Sequence, residues 1–558
     1  MDQDVEWWLK RYEQARSRRS LWDDHWRQVA EYFWPSANDF LGSGTSARQG
    51  GGEKRTEKVF DVTGPLALDR GAGGLSSLVI PQSERWHLLR ASNEELNEDP
   101  EVKEWFEAVV DLLFEMRASP TANFYAQAHE GFMSELAFGN HCQFIEESPR
   151  GGVRYRNVHI GQVAVETDAQ GRVDTIYRLM PLSAKQAQQL WGHTWGNKPP
   201  DKIKAALEQR PYDPIDFLHI VAPRENVDPE RMDAQGKPYQ SLYLFPEEKY
   251  VIEEGGFEEF PYQYPRWTIS PMESYGRGPG MLVLPTIKVL NAQEKTVLKS
   301  GHNAVEPPLL LADDGVFGMG SKTPRFTPGA AHFGMIDSQG RPRVLPLQNG
   351  ARLELTFEMQ EQKRTAVNSA FHLDLFQILV DSPQMTATEV LERVQERGQL
   401  LAPSIGRMQS EWFGPQIHRE LGILARQGML PPMPQQLIEA GGGYEVEYQS
   451  PATRMQRTKE LTAISRTAEF LLQFAPIDPT IVQKLDLEES AEIFMDVLGG
   501  PSKALLSKEE FAKVRQAQAQ AAEQAQQSEM MQQGASTAKD ATSAISQLSS
   551  VRGGKAAA

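Results

Sequence analysis

The spacing of apolar positions divides this chain. Over residues 3–34 they recur at helical intervals. Trp7, Trp8 and Tyr12 mark one helix; Trp22, Trp26, Val29 and Phe33, at i, i+4, i+7 and i+11, mark a second. Ser20 reads as the N-cap of the second, with Asp23 and Asp24 in its first turn, and Pro35 ends it. Helices are predicted over Gly64–Leu78, Pro100–Met116 and Ala122–Ala137. From Gln143 the period falls to two. Gln143–Glu146, Val153–Arg156, Gln162–Glu166 and Val173–Leu179 read as short antiparallel strands, with a hairpin turn at Asp168-Ala169-Gln170-Gly171. Helical spacing returns at Ser183–Leu190 and Asp201–Glu208. Strands resume at Phe217–Ala222, Gln240–Phe245 and Tyr250–Glu253, and Gly255-Gly256 is expected to close that meander. The aromatic, Pro-rich Phe260–Trp267 is a packed connector. Residues 1–280 are thus expected to form one mixed α+β body.

The stretch from Gly280 to Leu430 organises the rest. A helical run, Met281–Ala304, leads into a Pro- and Gly-rich excursion, Glu306–Gly350, and the chain returns as helix over Ala351–Leu379. It breaks at Asp381-Ser382-Pro383 and resumes as a long helix from Thr386, where Thr386 and Glu389 form a capping box. Pro403 and Pro415 predict kinks, and Gly428 and Pro431-Pro432 stop the helix. A hairpin of two helices has few ways to bury its apolar stripes alone, so it is expected to pack against copies of itself around a ring. A helix of about two dozen residues spans roughly 35 Å, enough to cross a protein shell. Lys288, Lys295 and Lys299 share one face of the outward helix; Glu354, Glu358 and Glu361 form an acidic stripe on the returning one. These stripes are solvated faces, contacts between neighbouring subunits, or, for the lysines, a surface toward a polyanion.

Beyond the hairpin, Tyr444–Tyr448 reads as a strand, and Met455–Phe474 and Leu487–Leu498 as helices of a smaller unit. Lys508 to about Gln533 has strong helix propensity without an apolar stripe, and the Gly/Ser/Ala-rich 534–558 is expected to be disordered. With 558 residues there is room for several domains, and 40% apolar content supports sizeable cores. A single cysteine, Cys142, excludes intrachain disulfides and Cys-based zinc clusters and fits folding in a reducing cytoplasm. The N-terminus lacks a signal-peptide pattern, and no apolar run reaches the roughly 18 residues of a membrane span. The net charge of −17 argues against a tight grip on nucleic acid; a sparsely basic, otherwise acidic bore holds DNA weakly and lets it slide.

Candidate chemistry changes little. Gly71-Ala72-Gly73-Gly74 lacks the strand and spacing of a phosphate loop and fits close helix packing. In Gly320-Ser321-Lys322-Thr323 a serine separates the glycine from the lysine, so the ammonium is misplaced for a nucleotide phosphate. Arg16, Arg18 and Arg19 read as a solvated turn, and His129, His141 and His302 as structural. No catalytic constellation or metal-ligand cluster stands out, and no cofactor is expected.

Several stretches resemble the head-to-tail connector, or portal, family of short-tailed double-stranded-DNA bacteriophages. They are Arg19–Trp22 through His25-Trp26; Gly52–Arg55 through Asp61–Pro65; and Asn97–Pro100. Further on are Glu259–Tyr262, Tyr275–Pro279 and Met385–Glu389. They occur in matching order over roughly residues 10–500. The resemblance implies a ring of about twelve subunits at one capsid vertex. It carries double-stranded DNA in packaging and ejection. Its partners would be the terminase motor, the tail adaptor and the major capsid and scaffolding proteins, with no membrane. The implied parts are a wing of 1–280 with 386–430, a stem of 281–305 and 351–378, a clip of 306–350 and a crown of 431–505. A tunnel loop of 379–385, with Val380, Asp381, Ser382, Pro383 and Gln384, would enter the bore without a basic residue. Clip residues Lys322, Arg325, Arg341 and Arg343 would meet a partner. The tail, 506–558, would extend the crown as a barrel or fray. Two other classes compete. A packaging ATPase needs a complete phosphate loop. An internal scaffold or ejection protein is helical throughout, which the strands of 143–253 argue against.

Overall fold

A computed structural model describes residues 2–38, 40, 55–149, 151–195, 199–228, 230–305, 309–311, 335–336, 338–342, 344–346, 353–374, 401–449, 451–474, 484–498, 511, 513–518 and 520. The chain divides into two units, Met1–Gln456 and Arg457–Ala558.

The first unit opens with α1, Asp2–Phe33, a single helix of 32 residues where two were expected. Ser20 does not cap. Its hydroxyl donates back to the Ser17 carbonyl at 2.6 Å, and no Gly or Pro interrupts the ladder there. The two aromatic clusters serve different cores. Trp8, Tyr12 and Ala15 pack on a sheet, whereas Trp26, Val29, Ala30 and Phe33 enter the main core. Helix α2, Thr63–Val79, and strand β1, His87–Ala91, follow. In α3, Pro100–Ala118, the Asp99 carboxylate accepts from the Glu101 N–H at 2.8 Å, an acidic cap with Pro at the first helical position. Helix α4 is Phe124–Phe138.

The period-two region forms two sheets. Strands β2 (Cys142–Glu147), β3 (Val153–Val158) and β9 (Tyr262–Gln263) pair in the order β3-β2-β9. Strands β4 (Val163–Thr167), β5 (Val173–Ser183), β6 (Pro214–Pro223), β7 (Tyr239–Phe245) and β8 (Tyr250–Phe257) form an antiparallel meander in sequence order. Helices α5 (Ala184–Trp195) and α6 (Asp201–Gln209) lie between β5 and β6 and supply Trp191, Trp195 and Ile203 to a satellite core. Gly255 and Gly256 do not close the meander. They lie within β8 opposite Ser241 and Gln240, and a Cβ on Gly256 would sit 2.8 Å from the Ala234 carbonyl oxygen.

The outward helix is broken once near its start, into α7, Pro279–Leu282, and α8, Leu284–Val305. Pro285, lacking an N–H, accounts for the break. Strands β10 (Leu309–Leu311) and β11 (Val344–Pro346) pair with each other. The returning helix α9 runs Leu353–Ala370, within the expected Ala351–Leu379, of which residues 351–352 and 375–379 lie outside the described residues. It ends in a turn at Phe371-His372, where His372 takes a left-handed backbone (φ +56°) and its N–H bonds to the Ser369 carbonyl. The expected break at residues 380–384 and the capping box at Thr386 lie outside the described residues.

After a helical segment over residues 401–408, the kink expected at Pro415 takes the form of a π-turn, Gln409–Phe413, followed by α10, Gly414–Arg426. The turn carries Glu411 to Arg266 at 2.8 Å and the Trp412 indole N–H to Gln143 Oε1 at 3.0 Å. The Arg117 and Glu420 side chains, both fully buried, tie α3 to α10, and the Tyr155 hydroxyl and Gln416 amide also donate to Glu420. Strand β12, Tyr444–Tyr448, pairs antiparallel with β1.

Helix α11, Pro451–Phe474, runs on into the second unit, which also contains α12, Leu487–Leu498, and helical residues 511 and 513–518. Phe470, Leu472 and Leu487 are exposed on these helices.

Candidate functional site

The two-helix hairpin is the candidate site, and its root is held by contacts across hundreds of residues. Ile287 and Leu290 of α8 and Val367 and Phe371 at the end of α9 are buried in the main core. Phe371 lies 5.4 Å, ring to ring, from Phe33 of α1. A Cβ on Gly71 would already lie 3.5 Å from Phe371 and 3.2 Å from Leu136, so the glycine-rich run of α2 serves close helix packing.

Polar groups finish the root. Asn291 of α8 accepts the backbone N–H groups of Phe60 and Asp61, at 2.7 and 3.1 Å. The Asp61 carboxylate holds the first N–H of α2, from Thr63, at 2.8 Å. Its other oxygen takes two hydrogen bonds from the Arg364 guanidinium of α9, at 3.1 and 2.8 Å. Burial pushes the Asp61 pKa up, but the hydrogen bonds from Thr63 and Arg364 outweigh it, and the net result lies below the ordinary value. The two hairpin helices meet directly as well: the buried Gln360 donates to Glu294 at 3.0 Å, and Arg364 lies 3.7 Å from the same carboxylate.

The charge stripes fall as follows. Lys288 is half-buried and donates to Gln28 of α1, and Lys295 lies 5.2 Å over the Phe60 ring. Both are committed to the chain's own body. Lys299 is exposed with no partner among the described residues. Glu358 and Glu361 are exposed, and Glu361 pairs with Arg364 one turn on, at 3.5 Å; Glu354 lies in the first turn of α9. The lysine and glutamate stripes are not brought together within the chain among these contacts. Farther out along the hairpin, Leu298, Val305, Phe357 and Met359 expose apolar side chains. Arg341 is exposed beside β11, while Lys322, Arg325, Arg343 and Val380 to Gln384 lie outside the described residues.

Sequence reasoning missed Asp61, Asn291, Glu294, Gln360 and Arg364 as a group. Asp61 alone carried a signal, because it opens the stretch Asp61–Pro65. Another such stretch, Tyr275–Pro279, is explained by contact: Cβ atoms on Gly276 and Gly278 would sit 2.4 and 2.7 Å from the backbone at Gly139. Among the described residues no group of three or more His, Cys, Asp or Glu is placed to hold a metal, and no helix is long and apolar enough to cross a membrane.

The chain belongs to the family of bacteriophage head to tail connecting proteins, whose model matches residues 7–506. It is 26% identical over 522 residues to the portal protein of Salmonella phage epsilon15, covering 92% of this chain and 91% of that one. It is 27% identical over 527 residues to the probable portal protein of Bordetella phage BPP-1, covering 92% of each. Among solved structures, the neck of a native GTA particle computed with C12 symmetry matches 79% of this chain and 90% of that one, at 13% identity and a TM-score of 0.38.

Proposed function

We propose that this chain is a phage portal subunit that closes into a ring, with its α8–α9 hairpin as the wall of the DNA channel. Membership of the head-to-tail connecting family over residues 7–506 carries this reading. The hairpin supports it physically. Its root is welded to the body, while its outer part exposes Leu298, Val305, Phe357 and Met359, which a neighbouring copy would cover. A ring needs two different patches per subunit, and the two helices of one hairpin offer two different faces.

In this reading residues 1–280 with 386–430 form the wing, 281–305 and 351–378 the stem, and 306–350 the clip. Residues 431–505 form the crown, and 379–385 the tunnel loop. The clip meets the terminase motor and then the tail adaptor; the wing meets capsid and scaffolding proteins at one vertex of the particle. Double-stranded DNA passes without sequence recognition. The net charge of −17 favours sliding, and the role requires no catalytic group. Native mass spectrometry of the purified chain tests the assembly. A single closed oligomer of about twelve copies is expected. A monomer at every protein and salt concentration overturns the proposal.

A further inference from the structure

A cleft of about 430 Å³ opens on the meander sheet, away from the hairpin. Arg178 of β5, Tyr243 of β7 and Glu253 of β8 line its floor and belong to one cross-strand row, in which the fully buried His219 of β6 lies between Arg178 and Tyr243. The aromatic walls are Phe144 of β2 and Trp191 of α5, with Phe257 closing one side.

Arg178 is the unusual member. Its residue is 8% exposed and its side chain hydrogen-bonds Tyr262; its Nε is enclosed without a partner, and no carboxylate pairs with its guanidinium among the described residues. It faces the Phe144 ring at 5.9 Å. Its neighbour His219 is fully buried, stacks on Tyr243 at 4.1 Å, and bonds through its two nitrogens to Tyr262 and Ser241, so it offers no negative charge. Glu146, Arg156 and Glu253 line the same cleft, so its formal charges balance, but neither carboxylate pairs with Arg178. Glu146 is taken by Arg156 at 3.2 Å. Glu253 sits at the far end of the row, three strands and roughly 14 Å away. A buried cation without a counter-ion is costly, and an anion entering the cleft would remove that cost.

We infer that this cleft binds one carboxylate carried on a flat apolar or aromatic body, with Arg178 receiving the acid and Trp191, Tyr243 and Phe144 the body. The carboxylate comes from an acidic side chain of a protein segment or from a free small acid. Cation, aromatic walls and volume fit both, at the lower end of the size of small-molecule sites.

The test uses the full chain and two probes, indole-3-acetate and an acetylated Trp-Asp dipeptide amide, titrated by saturation-transfer NMR. Indole-3-acetamide is the neutral control. A Kd on the order of 1 mM is expected for the better acid, with at least ~10-fold weaker binding of the amide. Arg178→Met should weaken the acid to the level of the amide. Gly255→Leu covers the case in which Arg178→Met fails to fold. A Cβ there meets nothing nearer than the Ser241 Cβ at 3.8 Å, so the leucine fills the cleft without displacing backbone and should abolish binding. Tighter binding of the dipeptide assigns a protein segment as the source; tighter binding of the free acid assigns a small molecule. Equal binding of acid and amide, undiminished binding by Gly255→Leu, or no binding of either acid overturns the site.

Discussion

Asp61→Ala should loosen the root of the hairpin, and its cost can be worked from the contacts. Asp61 is 5% exposed and accepts three hydrogen bonds, two from the Arg364 guanidinium and one from the Thr63 backbone. Bonds to charged groups contribute about 1.5–3 kcal/mol each in favourable settings. Arg364 keeps 32% of its side chain in water, so its share belongs near the low end. Losing the N–H contact at the start of α2 adds about 1 kcal/mol. The variant should therefore lose about 2–3 kcal/mol, and Arg364→Met about 1–2 kcal/mol because Asp61 keeps Thr63. A double-mutant cycle should return a coupling of about 1 kcal/mol or more. The assay is urea unfolding followed by circular dichroism at fixed protein concentration, since assembly shifts apparent stability. The pH dependence supplies a second check. The folded-state pKa of Asp61 is depressed, so its contribution is complete above the unfolded value of about 3.9 and is lost as pH falls through the lower folded value. The gap between wild type and Asp61→Ala should close under acid. A coupling near zero, or a gap unchanged in strong acid, would refute the role of this pair.

Three further outcomes are expected. Glu420→Gln leaves the fully buried Arg117 without its counter-charge and should cost about 3–5 kcal/mol in chemical denaturation; a loss below about 1 kcal/mol contradicts the assignment. Glu135 is fully buried, and neither carboxylate oxygen has a partner among the described residues. Burial, reinforced by the Glu411 charge, holds its pKa well above the ordinary value, so the folded state gains protons and stability falls as pH rises from about 4.5. Glu135→Gln should therefore raise the melting temperature at neutral pH and change it little under acid, and an equal shift at every pH would count against this. Lys299→Ala should leave the oligomer intact and lower DNA retention, with the salt dependence reduced by a slope of about 1, read in packaged-DNA assays; failed assembly would place Lys299 in a subunit contact instead.

Local pattern revealed most elements, because each has a period and a stop signal within a few residues. Strands β2 to β8 lie where strands were expected, and α12 coincides with its expected bounds. What escaped depends on distant partners. Strand β1 is five residues long and becomes a strand only by pairing with Tyr444–Tyr448, over 350 residues later. The continuity of α1 turned on whether the Ser20 hydroxyl bonded forward or backward, which composition does not decide. The lysine stripe was legible, yet two of its three members answer to Gln28 and Phe60, chosen by tertiary packing. The Asp61–Arg364 pair spans 303 positions and carried no periodic signal.

In the proposed ring, hairpins rooted in their own bodies stand side by side to enclose a channel. Class-averaged electron micrographs viewed down the symmetry axis test this most directly. Closed rings, with one α8–α9 pair per subunit lining a central hole wide enough for a DNA duplex, are the expected image. Rings whose inner wall comes from another element, or particles without a hole, would contradict it.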